Sequence, residues 1–578
     1  MELISGGDLL VRALADEGVD TIFGYPGGSA LHIYDALFRQ TKVKHILVRH
    51  EQAATHAADA YSRSTNKVGV VLVTSGPGAT NAITGIATAY TDSIPMVVIS
   101  GQVDSARIGE DAFQETDMIG ISRPVVKHSF LIKNAEEIPY IIKKAFYIAS
   151  TGRPGPVVVD VPKDITAPSK GYAYTDPGKI SLRSYVPPQA GDPDAISHAA
   201  EMLVSANRPI IYAGGGVVLD DASAELLKLA RLLKAPVTNT LMGLGSFPGT
   251  DHQYIGMLGM HGAIEANLAM HHADVILAIG ARFDDRVTNT PKKFCPNAKI
   301  IHIDIDPASI SKTIQAHLSI VGSAKNVLQQ LLSALQDLTH KQDEEAVKIW
   351  WLELESWRQK FGLHVRPRYE TSSDLIKPQE VVTAIFEVTN GDAFITTDVG
   401  QHQMFSAQYY RFDRPKRWIT SGGLGTMGFG LPAAMGVQQA HRNHTVVCIT
   451  GEGSIQMCIQ ELATCKQYNF PIKIICLNNK ALGMVKQWQD IHHGARHSEI
   501  HYKESLPDFV KLAEAYGHVG MRVSNKSELK SKIQECFDLK DRLVFMDIDV
   551  DPDEHVYPMQ VAPDGSMRDM WINKTERI

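Results

Sequence analysis

A chain of 578 residues exceeds what one hydrophobic core can organise and divides into three or four domains. With 44% hydrophobic and 21% charged residues it has the composition of an ordinary globular protein, which excludes a disordered or fibrous chain. A net charge of −7 gives no basic footprint for nucleic acid, and no apolar run approaches the roughly 18 residues that a membrane-spanning helix needs.

The opening stretch, MELISGGDLLVRALADEG, carries an acid at position 2 and runs directly into an amphipathic helical pattern. It lacks the basic and apolar regions of a signal peptide and does not read as a transit peptide. Residues 1–165 then alternate helical and strand patterns, with strands expected at Val70–Thr74, Met96–Ser100 and Val157–Asp160. A segment rich in Pro, Gly, Ser and Tyr, from about Ala167 to Pro193, reads as a linker. A second α/β domain, 190–338, has expected strands at Ile210–Tyr212, Val275–Ile279 and Ile300–Ile305. The motif KIWWLELESWRQKF, within 340–377, is expected as a helix packed between domains. A third domain, 378–550, has expected strands at Phe394–Thr397, Val446–Thr450, Ile472–Leu477 and Leu543–Ile548. The final 28 residues, 551–578, are expected as an irregular polar tail folding over the site. The fold class is therefore α/β, with three parallel-sheet domains. Six cysteines (Cys295, Cys448, Cys458, Cys465, Cys476 and Cys536) form no CxxC pair and read as buried free thiols of a reducing compartment. The cytoplasm is the expected location.

Two stretches echo one another. Residues 73–100 and 449–476 each run strand, T-x-G-x-G, helix, x-Pro, strand, with Gly76 to Pro95 spanning 19 positions and Gly451 to Pro471 spanning 20. Chance likeness of two βαβ units is one account; duplication, with two related domains bracketing an unrelated third, is the favoured one.

The second of these units carries the most chemistry. Val446–Thr450 is a buried-strand pattern, Gly451-Glu452-Gly453-Ser454 breaks it, Ile455–Tyr468 is expected as a helix, and the next strand ends in Asn478-Asn479. In such sheets ligands lie outside the carboxyl ends of the strands. The turn offers backbone N–H groups to a phosphate, while Glu452 and Asn479 offer hard oxygens to Mg²⁺. Gly-x-Gly alone is only a tight turn, and Asn-Asn alone only a strand end; a diphosphate held through a metal accounts for both. By contrast, Gly422–Gly430 contains a formal GxGxxG at Gly423, Gly425 and Gly428 but lacks a clean preceding strand and a ribose-binding acid, so it is not read as a dinucleotide site.

The Gly-acid-Gly-Ser and Asn-Asn pair resembles the diphosphate motif of thiamine diphosphate (ThDP) enzymes, with Glu452 where that family has Asp. YPGGS, RHEQAA, TSGPGATNAITGIATAY, DAFQETD, GRPGPVVVDVPKD, LGMHG, GARFDDRVT, SGGLGTMGFGLPAAMG and LGMVKQWQ extend the resemblance end to end, to the large catalytic subunits of the acetohydroxyacid synthase family. It implies Mg²⁺ at Glu452, Asn479 and Ala481. It places ThDP against Tyr25, Pro26, Glu51, Asn81, Gln401, His402, Met427, Gly453, Ser454, Leu482, Gly483 and Met484. Glu51, at the start of a helix where an acid is ordinarily a dipole partner, would hydrogen-bond the pyrimidine. Met427 would prop the cofactor in its bent form. Gly28, Phe113, Gln114 and Lys163 would line the reaction chamber, and Asp285, Arg286, Met484 and Trp488 would select the second substrate, Arg286 gripping its carboxylate.

The resemblance also implies FAD in the second domain, on Arg153, Gly214, Gly215, Gly216, Thr240, Leu241, Met242, Leu258, Gly259, Met260, His261, Gly262, Gly280, Arg282, Asp304, Ile305 and Ser323. The family usually has Asp at position 323 and Ala at the position of Ser29. The implied reaction decarboxylates pyruvate and joins the remaining two carbons to pyruvate or 2-oxobutyrate, giving 2-acetolactate or 2-aceto-2-hydroxybutyrate for branched-chain amino acid synthesis. A homodimer and a small regulatory subunit are the implied partners. The alternatives are a ThDP–FAD pyruvate oxidase, against which RFDDRVT and Trp488 argue; glyoxylate carboligase, against which Glu51 argues; and a catalytically impaired scaffold.

Overall fold

A computed structural model describes residues 3–365, 369, 371–560 and 565–578. Three six-stranded sheets, every internal pairing parallel, form the framework. In the first, the edge-to-edge order is Lys44–Leu47, Thr21–Gly24, Gly69–Val73, Met96–Gln102, Pro156–Pro162, His128–Leu131. In the third it is Trp418–Ile419, Phe394–Thr397, Val446–Thr450, Lys473–Asn478, Val544–Asp549, Val519–Val523. Numbered by position in their own domains, both sheets run 2-1-3-4-6-5. The likeness read between 73–100 and 449–476 therefore extends to the winding of two whole domains.

The middle sheet differs. Its order is Tyr254–Met257, Val237–Asn239, Pro209–Ala213, Val275–Ile279, Lys299–Asp304, Leu318–Val321. This is 3-2-1-4-5-6, the order of dinucleotide-binding sheets, with the direction of winding reversing between Pro209–Ala213 and Val275–Ile279. All the expected strands are present, because each is a near-continuous β-branched run buried on both faces.

Three expectations need correction. The helix over Ile455–Tyr468 is broken into Glu452–Ile455, a 3₁₀ turn at Ile459–Glu461 and Leu462–Gln467. The break falls where the glycine loop crosses it: a Cβ on Gly428 would lie 2.9 Å from Met457 Cβ. The helix expected between domains occupies Glu344–Phe361, not the whole of 340–377, and packs on the middle domain, where Trp350 and Leu354 join the core with Ile276 and Ala278. The tail is irregular but not polar in effect, since Val556, Met559, Met567, Met570 and Ile572 are all buried.

The first and third domains share one core, built on two crossed helices. Glu51–Thr65 carries small residues at nearly every contact position and is buried along almost its whole length. It lies so close to Gly430–Ala440 that a Cβ on Gly436 would be 2.0 Å from the Ala57 carbonyl oxygen. Beside this contact Arg63, fully desolvated, bridges Asp59 and Asp92, and its guanidinium lies 5.6 Å from the Phe429 ring centroid. Asp92 in turn accepts the Gly422 and Gly423 amide protons at 3.0 and 2.7 Å. One ion network thus fastens the first domain to the glycine loop of the third. Arg63→Met leaves two buried carboxylates without a cation and should cost about 3–5 kcal/mol. The check is the denaturant midpoint; an unchanged midpoint removes the network from the stability of this interface.

Candidate active site

The strand Lys473–Asn478 delivers Asn479 beside the turn that follows Val446–Thr450, because these two strands are neighbours in the sheet. Ala481 N–H donates both to Glu452 Oε1 at 2.7 Å and to Asn479 Oδ1 at 3.1 Å, so one amide holds two hard oxygens side by side. Glu452 is 2% exposed and has no cation among the described residues. Desolvation pushes its carboxyl up to about 7. A buried carboxylate beside an amide oxygen, lacking any positive partner, fits a divalent cation. Among the described residues no cluster of three or more His, Cys, Asp or Glu side chains could hold a metal, so this pair depends on Asn479 and the backbone to complete a ligand set.

Glu452, Asn479 and Ala481 wall a cavity of about 90 Å³ together with Gln401, His402, Met427, Gly453, Ser454, Leu482, Gly483 and Met484. The structure brings all these sequence-predicted residues together. The helix Gly483–His492 begins at this wall, with its free amide ends near the cavity. His402 is buried and leaves Nε2 without a partner, and burial lowers its imidazole to about 4. An orphaned ring nitrogen beside backbone amides fits a diphosphate. Gly453 has a steric reason to be glycine, since a Cβ there would sit 2.0 Å from the Tyr502 hydroxyl.

Sequence reasoning missed the relay behind this wall. Asn479 Nδ2 donates to Gln401 Oε1 at 3.2 Å, and Gln401 Nε2 donates to Gln487 Oε1 at 2.9 Å. The fully buried Gln487 donates to the Val556 carbonyl and accepts the Val556 amide proton, each at 3.0 Å. The tail is thereby tied to the two residues that face the cavity. Gln487 lies inside LGMVKQWQ, but nothing in its spacing marks it as buried. Asp92 and Tyr502 gave no signal either.

A larger groove of about 740 Å³ adjoins the first cavity, sharing Val399, Gly400 and Met484 as walls. It runs along the carboxyl ends of the middle sheet. Arg153, Gly215, Gly216, Thr240, Leu241, Met242, Leu258, Met260, His261, Gly280, Arg282, Asp304 and Ile305 line it, as do Asp285, Arg286, Met484 and Trp488. Gly214, Gly259, Gly262 and Ser323 lie behind the wall. Gly214 serves close approach, since a Cβ there would be 2.2 Å from the Gly280 oxygen. Asp304 is buried at the end of its strand, and desolvation pushes its carboxyl up to about 6. A long groove with glycines at a winding reversal and an acid one strand further on fits a dinucleotide. At its other end Arg286 is exposed and paired with Asp285 at 2.9 Å, while Trp488 stacks on His492.

The first-domain residues form a separate group. Glu51 is 9% exposed, and its Oε2 accepts from Asn81 Nδ2 at 3.0 Å. The strand end before it is held by the third domain, because Glu461 accepts the Arg49 amide proton at 2.9 Å. Ser29 Oγ lies 2.8 Å from Ser75 Oγ, and Gln114 rests against Gly76 with φ of 62°. Tyr25, Pro26, Gly28 and Phe113 are exposed around this group, and Lys163 is half-buried. None of Tyr25, Pro26, Gly28, Glu51, Asn81, Phe113, Gln114 or Lys163 walls the cavity that holds Glu452 and Asn479.

Comparison with known proteins places this geometry. The family described as "Thiamine pyrophosphate enzyme, N-terminal TPP binding domain" matches residues 4–121, the corresponding central domain matches 196–331, and the C-terminal TPP binding domain matches 398–548. The acetolactate synthase large subunit of Haemophilus influenzae is 58% identical, over 100% of this chain and 99% of that protein. The acetolactate synthase isozyme 3 large subunit of Escherichia coli is 56% identical over 100% of both chains. A probable acetolactate synthase large subunit of Methanocaldococcus jannaschii is 48% identical, over 98% of this chain and 94% of that one. Matched along its whole length by such relatives, and in each of its three domains by these domain families, the chain belongs to the acetolactate synthase large-subunit family of ThDP enzymes.

Proposed function

We propose that the chain converts pyruvate and a second 2-oxo acid, pyruvate or 2-oxobutyrate, to 2-acetolactate or 2-aceto-2-hydroxybutyrate with loss of CO₂. The observation that carries this reading is the buried, cation-free Glu452 carboxylate held side by side with the Asn479 oxygen through their shared Ala481 N–H in a ThDP-enzyme C-terminal domain. Glu452, Asn479 and the backbone at Ala481 would hold Mg²⁺. Gly453, Ser454, Gln401, His402, Leu482 and Gly483 would hold the diphosphate, and Met427 and Met484 the ring beyond it. ThDP, when bound, supplies the electron sink for CO₂ loss.

The chain's own residues have to position and shield. Glu51 holds or releases a proton at its carboxyl, which Asn81 Nδ2 fixes in place. Arg286 offers a planar fork to the carboxylate of the second 2-oxo acid, and Trp488 limits the space for its side chain. Tyr25, Gly28, Phe113, Gln114 and Lys163 close the chamber against water. Because this group does not wall its own chain's diphosphate cavity, a second copy is proposed to supply it. Exposed Tyr25 and Phe113, at 40% and 89%, suit such a contact. FAD is proposed in the large groove in a structural role, since the overall reaction has no net redox step. The relatives' designation as large subunits supports a small regulatory partner. Six buried free cysteines support a reducing compartment, the cytoplasm. No helix among the described residues is long and apolar enough to cross a membrane.

Mixing two inactive variants tests the assembly and the catalytic roles together. Glu51→Gln and Glu452→Ala should each lower acetolactate formation by about 100-fold or more. Random reassembly of the two should restore about a quarter of wild-type activity, because half of the dimers are mixed and each mixed dimer has one intact centre. No recovery on mixing, with both variants folded, would place Glu51 and Glu452 in the same protomer's centre. Glu452→Ala alone should weaken Mg²⁺ binding beyond the roughly 10–100-fold lost with an outer-shell group. Titration of Mg²⁺ against ThDP-dependent fluorescence quenching checks this, and equal affinity would sink the metal assignment. Trp488→Ala should change the ratio of products from competing acceptors by about tenfold. A constant ratio would take Trp488 out of acceptor selection.

A further inference from the structure

The large groove follows the carboxyl ends of consecutive strands: Pro209–Ala213 with its glycines, Val275–Ile279 with Gly280, Lys299–Asp304 with its terminal acid, then Leu318–Val321. At this last strand the wall is made by Leu219, Asp220, Ile305, Gly322 and Ala324. Asp220 caps the C-terminus of the short helix Gly215–Leu219. Its Oδ2 accepts from Ser323 Oγ at 2.6 Å and from the Lys325 amide at 2.8 Å. Ser323 Oγ also accepts the Asn326 amide proton at 3.3 Å, as the N-cap of Ala324–Leu335. Ser323 itself does not reach the groove; its hydroxyl is spent on fixing Asp220. The second Asp220 oxygen makes no hydrogen bond among the described residues, and no cation lies within salt-bridge distance of this carboxylate.

A half-buried carboxylate held through one oxygen, on a groove wall it shares with apolar Leu219, Ile305 and Ala324, keeps its other oxygen as a hydrogen-bond acceptor for a donor. A flat heterocycle with an exocyclic amine satisfies both parts: its faces meet the aliphatic wall and its N–H meets the anion. With a pyrophosphate at the glycines and a ribose at Asp304, the adenine of a dinucleotide reaches this strand end. We propose that Asp220, positioned by Ser323 and the Lys325 amide, accepts a hydrogen bond from the exocyclic amine of the adenine of FAD. This rests on the flavin reading above and names the residue that would distinguish the base. The carboxylate expected from the resemblance at position 323 is then supplied from a different loop.

Flavin fluorescence titration of flavin-free protein with FAD, its hypoxanthine analogue and FMN tests the assignment without recourse to activity. The analogue replaces the amine by a carbonyl oxygen, which would face an anion. Wild type should bind FAD at least about tenfold more tightly than the analogue. Asp220→Ala should bring FAD down to the analogue's level and leave FMN affinity unchanged. Asp220→Asn, which keeps the shape and a partner for Ser323, should reduce the discrimination in the same direction if the alanine variant does not fold. Melting temperatures without flavin report folding. Equal binding of FAD and the analogue by wild type, or discrimination that survives both substitutions, overturns the role of Asp220. Failure of wild type to bind FAD or FMN at all overturns the flavin reading and this assignment with it.

Discussion

The close contact of Glu51–Thr65 with Gly430–Ala440 governs the rest of the molecule. Alanines on one helix and Gly436 on the other let two backbones approach where a single extra methyl would meet a carbonyl oxygen. The contact merges the cores of two domains and fixes which way each sheet presents its strand ends. With that orientation set, Glu51 and its neighbours lie outside the cavity formed by Glu452 and Asn479 of the same chain. A packing constraint between two helices therefore sets which side-chain groups one chain can bring to a single cavity.

Two buried carboxylates without a salt-bridged Lys or Arg line the cavities. Glu452 and Asp304 are both buried, and desolvation raises both carboxyls toward neutrality. Other buried acids are held by cations, Arg63 between Asp59 and Asp92 and Lys377 between Asp551 and Glu554, or by neutral donors, as Gln102 holds Asp160 and Thr450 holds Asp398. What sets Glu452 and Asp304 apart is that they combine burial without a salt-bridged Lys or Arg with a place on a cavity wall. The same logic sets Asp220, which has a neutral hydroxyl and an amide for company but no cation, apart from an ordinary structural acid.

Much of the fold was legible because central parallel strands are buried on both faces and read as unbroken β-branched runs. What escaped reading is what lacks that signature. Val237–Asn239 has three residues, and the edge strand His128–Leu131 is only partly buried. The break within 455–468 has no Gly or Pro to announce it, since its cause is a loop arriving from Gly428. The tail is anchored by isolated methionines whose burial follows no period. At the site, residues carried by short glycine motifs were legible by resemblance. Those that support them through long-range hydrogen bonds were not: Gln487, Asp92 and Asp220 acquire meaning only when segments distant in sequence meet.

Two sheets wound in the same 2-1-3-4-6-5 order, one carrying Glu452 and Asn479 at its strand ends and the other carrying Glu51, have a consequence for ancestry. Duplication, the favoured account of the likeness between 73–100 and 449–476, would leave such a pair if one gene for a sheet domain doubled and its copies diverged. The ancestor would have clasped its coenzyme between identical halves, each able to do either job poorly. After fusion, one half could lose its hard-oxygen ligands and the other its acid without penalty. Each copy would then be free to refine the end of the coenzyme it kept.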